Sequence, residues 1–107
     1  MTKAQIQAEI KNITDQIVKK YKPEKIILFG SAARGEFTED SDLDFLIIKN
    51  QVPKSSIHRR WQLRYLLDES SPVDLLILKP GEFKNRLKKN DPFFTTIIQE
   101  GVVLYDQ

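Results

Sequence analysis

The chain reads as an α/β protein of the α+β kind, a small mixed β-sheet covered by helices. Three observations predict this. Short apolar, β-rich runs at 25–29, 42–48 and 73–78 are set between segments of helical periodicity. The second and third runs are apolar on both faces, the pattern of strands covered from each side. The link between the first two, residues 30 to 41, is about the minimum for a parallel crossover, so that pair is free to be antiparallel while the helix before the third strand allows a parallel one. The 107 residues predict one domain, 1–107, with no internal repeat, low-complexity tract or linker.

Each element has a local cause. Thr2 followed by Gln5 fits a capping box, and Ile6, Ile10, Ile13 and Ile17 then recur at helical spacing, predicting an amphipathic helix over 3–21 with Pro23 just past its end. Lys25 to Phe29 is a first, buried strand closed by Gly30. Ser31 to Gly35 is long enough for one helical turn, with Ser31 as its N-cap, and a polar loop follows to Ser41. Asp42 to Ile48 begins in alternation and becomes apolar throughout, a central strand with two aspartates at its entrance. After Pro53, Ser55 or Ser56 caps a helix to Leu67 or Asp68, which Ser70-Ser71-Pro72 ends. Val73 to Leu78 is the next strand, apolar except for Asp74. A short basic helix near 81–89, a helix from Asp91-Pro92 to Glu100, Gly101 as its C-cap and a closing strand from Val102 complete the chain.

Composition removes several kinds of chemistry. Without cysteine there is no disulfide framework, iron–sulfur cluster or thiolate zinc site, and a single histidine removes most imidazole metal centres and Ser/His triads. A resident metal must be held by oxygen. No window approaches the roughly 18 uninterrupted apolar residues of a membrane span, and the polar start lacks the apolar core of a signal peptide, so no membrane role and a cytoplasmic location are expected. The net charge of +2 is far below that of a typical DNA binder, and direct nucleic-acid binding is not required. Along the chain the charge is uneven: between residues 30 and 50, Glu36, Glu39, Asp40, Asp42 and Asp44 outnumber Arg34 and Lys49. A carboxylate-bound cation beside a polyanionic ligand, or a solvated acidic loop, gives that count.

The chemistry lies in Gly30-Ser31, the pair Asp42 and Asp44, and Asp74. Alternate residues of a strand face one side with Cα atoms about 6.6 Å apart, so Asp42 and Asp44 can aim at one place, and Asp74 from a neighbouring strand would complete a triangle. Three carboxylates that close repel unless hard cations stand among them. Mg2+ fits best, and two ions about 4 Å apart can hold the attacking and leaving oxygens of an in-line displacement at phosphorus. Gly30 lets backbone approach a ligand, Ser31 offers a hydroxyl and backbone N–H groups to phosphate oxygens, and Arg34 can reach the same phosphates or steady the acidic cluster. An EF-hand loop starting at Asp40 fails because its glycine would be Phe45 and its glutamate Gln51; a Walker-A loop fails because Gly35 is not followed by Lys and Ser/Thr.

Gly30-Ser31, ten residues, then Asp42-Leu43-Asp44, with Asp74 beyond, resembles the DNA polymerase β-like nucleotidyltransferases, and GSAARGEFTEDSDLDFLII is similar to their minimal nucleotidyltransferase branch over essentially the whole chain. The resemblance implies a polymerase β-like fold in which Asp42 and Asp44 bind two Mg2+ ions. It implies that Asp74 bridges to the catalytic metal and helps activate the acceptor hydroxyl, while Gly30 and Ser31, with Arg34 and Ser41, contact the nucleotide. It further implies transfer of AMP from ATP to a hydroxyl, such as a tyrosine of a cognate HEPN-type toxin, with the chain acting as antitoxin in a hetero-oligomer. Larger superfamily members carry further domains for nucleobase and acceptor, so acceptor recognition is expected to be shared with a partner. The alternatives are an antitoxin that works by covering its toxin, and transfer to a small molecule.

Elsewhere the residues say less. His58 reads as a solvent-facing helix residue. Arg59, Arg60 and Arg64 with Trp61 and Tyr65 either form a basic, aromatic partner surface or surround two core aromatics, and both readings stand at this point. Lys84, Arg86, Lys88 and Lys89 read as a solvated face.

Overall fold

The computed structural model describes residues 2–38, 41–68 and 72–107. The elements run α1 (Lys3–Tyr21), β1 (Lys25–Phe29), β2 (Leu43–Ile48), α2 (Ser56–Leu66), β3 (Val73–Leu78), α3 (Pro80–Lys88), α4 (Pro92–Glu100) and β4 (Val102–Asp106). The predicted boundaries hold to within a residue or two. β2 starts at Leu43, leaving Asp42 just outside the strand, and α3 starts at Pro80, whose missing N–H is tolerated in a first turn.

Local chemistry sets the ends. The capping box of α1 is formed, with Gln5 N–H donating to Thr2 Oγ1 at 3.1 Å and Thr2 N–H to Gln5 Oε1 at 2.6 Å. Ser55 caps α2 and Asp91 caps α4, while Gly101 ends α4 in an extended conformation, not the left-handed one common in C-terminal glycines.

The sheet order is β3-β2-β1-β4. β1 is antiparallel to β2 and to β4, and β2 is parallel to β3, so the sheet is mixed as expected. Strand alternation divides the side chains between two cores. Leu43, Phe45 and Ile47 of β2 pack with Val73, Leu75 and Ile77 of β3, Ile26 and Leu28 of β1, Ile10, Ile13 and Ile17 of α1, and Leu63 of α2. Leu46 and Ile48 face the other way, onto Ile27, Phe94 and Ile97, with Phe83 and Leu87 of α3 against them. Asp44 and Asp74 share the parity of this second face, at the starts of their strands.

Arg59 departs from the sequence expectation. It is not part of a surface group but is 4 % exposed beneath α2. Its guanidinium donates to the carbonyls of Pro53 and Ile77 and, through both terminal nitrogens, to Glu82 at 2.7 and 3.2 Å. α2, β3 and α3 are thus tied at one point. A buried charge is tolerated because its donors are met, and removing it strands a carboxylate and several carbonyls. Arg59→Ala should lower unfolding stability by about 3 kcal/mol in a urea titration, whereas Glu82→Gln, which keeps two hydrogen-bonding atoms, should cost clearly less.

Candidate functional site

Glycine, carboxylates and strand register converge at the edge of the sheet where β1 ends and β2 and β3 begin. Phe29 of β1 lies opposite Asp44, and Asp44 lies opposite Asp74 in the parallel pair. Neighbouring strands stand about 4.8 Å apart, so the two aspartates are adjacent on one face. Gly30 follows at once with φ of 75°, turning the chain off the sheet. A Cβ built on Gly30 would stand 2.1 Å from Asp44 Oδ2. The Asp44 carboxylate therefore occupies the space that any other residue at position 30 would fill. The segment from Ser31 to Gly35 forms a turn, closed by Arg34 N–H to Gly30 O at 3.2 Å and Glu36 N–H to Ser31 O at 2.9 Å.

Asp44 is half-buried, and its carboxyl is pushed up to about 6, first by loss of solvent and then by the charges of Asp74 and Asp42, with Arg34 opposing. Asp42 and Asp74 are exposed. Asp74, expected inside an apolar strand, escapes that cost because it stands where β3 begins and neither α3 nor α4 covers it. Among the described residues no group of three His, Asp or Glu side chains is gathered closely enough to hold a metal as placed. The donor set is nonetheless chemically suited to a hard cation: the oxygens are carboxylate, and the crowding that raises Asp44 is what a cation would relieve.

A cavity of about 540 Å³ opens over these carboxylates. Gly30, Arg34, Asp44 and Asp74, all singled out by sequence, line it. Ser31, Ser41 and Asp42 are not among its described lining residues. Ser41 is engaged in its own loop, its Oγ accepting from Thr38 N–H at 3.1 Å, immediately before Asp42. Arg34 is held by Glu36 at 3.0 Å and by Glu100 at 3.4 Å, beside Asp44. These pairs are partly exposed and weak, so the guanidinium can be exchanged to a stronger anion.

Sequence reasoning missed the apolar half of the cavity. Phe29, Leu76 and Phe93 line it, with Arg60, Thr96 and Glu100. Phe93 meets Phe29 edge-to-face at 5.8 Å and Phe94 at 5.2 Å. The available signal was the adjacent pair Phe93-Phe94, since a helix can turn only one of two successive residues into the core. Phe94 is buried there, and Phe93 stays 51 % exposed.

Known proteins match this arrangement. The family described as nucleotidyltransferase domain matches residues 9–105. Two proteins of Methanocaldococcus jannaschii, each named a "putative protein adenylyltransferase", are similar to the chain: one is 31% identical over 92% of this chain and 73% of its own length, the other 32% identical over 90% and 94%. The crystal structure of a "putative nucleotidyltransferase" from Sulfolobus solfataricus superposes with a TM-score of 0.68 at 21% identity, covering 98% of this chain and 84% of that one. At that identity the likeness establishes the fold, a polymerase β-like one.

Gly30→Ala should destabilise the protein by about 1–3 kcal/mol in thermal or urea unfolding, because the methyl group meets Asp44 and φ is unfavourable. In metal-free buffer the raised Asp44 carboxyl makes stability complete below its unfolded value of 3.8 and progressively lost as pH rises through about 6. Asp44→Asn should therefore melt higher than wild type above about pH 6, the difference closing on acidification.

Proposed function

The chain belongs to the nucleotidyltransferase domain family and is a nucleotidyltransferase, and from that premise we propose that it transfers AMP from ATP to a hydroxyl of a protein acceptor. The observation that carries the reading is the register of Asp44 opposite Asp74, beside a glycine whose Cβ position is filled by the Asp44 carboxylate. The names of the two relatives support AMP as the group transferred and a protein as the acceptor. The likeness of GSAARGEFTEDSDLDFLII to minimal nucleotidyltransferases supports a HEPN-type toxin as that acceptor and antitoxin as the role.

In this reading Asp42, Asp44 and Asp74 would hold Mg2+, which supplies charge neutralisation at the transferring phosphorus and at the leaving pyrophosphate. The chain's own groups do the positioning. Ser31 and the turn it begins receive the triphosphate, and Arg34 leaves Glu36 and Glu100 for a phosphate oxygen. Phe93 and Phe29 offer an apolar wall beside the carboxylates for an aromatic ring. The acceptor hydroxyl oxygen bonds to the α-phosphorus as the bond to the pyrophosphate oxygen breaks, and its proton passes to a carboxylate, for which Asp74 is placed by its exposure at the strand start.

With ATP labelled in the α-phosphate, Mg2+ and a HEPN-type toxin as acceptor, the wild type should label the toxin. Asp42→Asn/Asp44→Asn and Asp74→Asn should each lose about a hundredfold or more, as should the wild type with chelator. Equal labelling by the double variant would overturn the assignment. A double variant that loses labelling but still neutralises the toxin in cells would place neutralisation in complex formation, and labelling of small hydroxyl compounds alone would move the acceptor class.

A further inference from the structure

Helix α2 turns its apolar stripe away from the core. Its buried residues are Arg59 and Leu63, while Ile57, Trp61 and Tyr65, spaced four apart on one side, are 51, 71 and 92 % exposed. The open question of the sequence is thereby decided: Trp61 and Tyr65 are not core. Three large side chains aligned on one helical face, exposed to this degree, form the apolar patch that marks a binding surface. Trp and Tyr flanked by Arg and Lys are the side chains that anchor protein interfaces.

Trp61 and Tyr65 form one wall of a groove of about 880 Å³, distinct from the cavity over the aspartates. Lys20, Lys49 and His58 also line it, and no carboxylate does among the described residues. The two ammonium groups are engaged by weak acceptors, Lys20 by the carbonyl of Leu66 at 3.1 Å and Lys49 by the carbonyl of Lys22 at 3.4 Å and the ring of Tyr21 at 5.0 Å. Carboxylates brought by a partner would be stronger acceptors for both. The face is continuous with the candidate site through Arg60, the neighbour of Trp61 in sequence, which lines the cavity with Asp44 and Asp74.

We infer that the outward face of α2 and its groove dock an acidic polypeptide bearing aromatic side chains, and that a chain seated there runs past Arg60 to present its hydroxyl to the aspartates. The second clause rests on the reading of a protein acceptor; the first does not. A polypeptide is favoured over a nucleic acid because the cations are few and the stripe includes aliphatic Ile57, which offers a base no stacking face.

The chain has one tryptophan, Trp61, so its fluorescence reports this face alone. In metal-free buffer, titration with a random Glu–Tyr copolymer should shift Trp61 emission to the blue and saturate. A Lys–Tyr copolymer should give no shift. Tyr65→Ala, at a residue too exposed to affect folding, should weaken the Glu–Tyr copolymer by about tenfold. No shift with that copolymer, an equal shift with the Lys–Tyr copolymer or with oligoadenylate RNA, or a shift on concentrating the protein alone, as a second copy would cause, overturns the inference. With labelled ATP and Mg2+, the copolymer's tyrosines should be labelled, and Tyr65→Ala should raise KM about tenfold at unchanged kcat. Docking without labelling fells the protein-acceptor reading and leaves the docking face standing, whereas labelling indifferent to Tyr65→Ala fells the docking face.

Discussion

The carboxylate of Asp44 against the bare Cα of Gly30 is the contact on which the architecture of the site turns. It requires glycine at the end of β1, and the same glycine, at φ of 75°, turns the chain off the sheet into the Ser31 turn. It also fixes the pairing of β1 with β2, because a slip of one residue would replace Asp44 at this place by Leu43 or Phe45 and send the carboxylate into the apolar core. One close approach therefore sets a backbone reversal, a strand register and the position of a charge. The charge is unfavourable there, as the raised Asp44 carboxyl shows. A protein keeps such a residue where function repays the loss of stability.

The mixed sheet converts that contact into a site. Antiparallel pairing brings the end of β1 to the start of β2, while parallel pairing brings the start of β3 to the same edge. All-parallel or all-antiparallel pairing of these strands would send Gly30 or Asp74 to the opposite end. The far edge is closed differently. There Arg59 ties the end of β3, through the Ile77 carbonyl, to α2 and, through Glu82, to α3. Polar chemistry at one edge is open and like-charged; at the other it is buried and matched. The first arrangement waits for a ligand, and the second holds the strands that present it.

Much of this was legible in sequence because it rests on local rules. The capping box, the isoleucine spacing of α1, the two-faced apolar runs of β2 and β3 and the glycine after β1 each have one structural solution, and the spacing of Asp42 and Asp44 follows from strand geometry. The phase of α2 did not follow. Its apolar residues fit one face at 57, 61 and 65, yet the helix seats itself on Arg59 and Leu63. The deciding interactions are carbonyls of Pro53 and Ile77 and the carboxylate of Glu82, which only the folded chain brings together. Arg59 and Arg60 are the same residue type one position apart, one buried and tied down and the other lining the cavity, and nothing local separates them. The apolar half of the cavity was hidden for a similar reason, since Phe29, Leu76 and Phe93 come from three elements.

Arg59 also explains how a surface on α2 can matter to chemistry at the far edge of the sheet. Its guanidinium is bonded to the Ile77 carbonyl of β3, the strand that begins with Asp74, so α2 and the candidate catalytic strand move as one body. A partner seated against Trp61 and Tyr65 is thereby held in a fixed relation to the carboxylates. The cavity over Asp44 and Asp74 is modest, and most contact with a macromolecular acceptor must fall outside it. Binding energy gained at such a remote face lowers the barrier only if the connection is stiff enough to hold the reacting oxygen in line. A loop would not provide that stiffness. A helix pinned through a buried, fully engaged guanidinium does, and this is a use for a buried charge that stability alone would not favour.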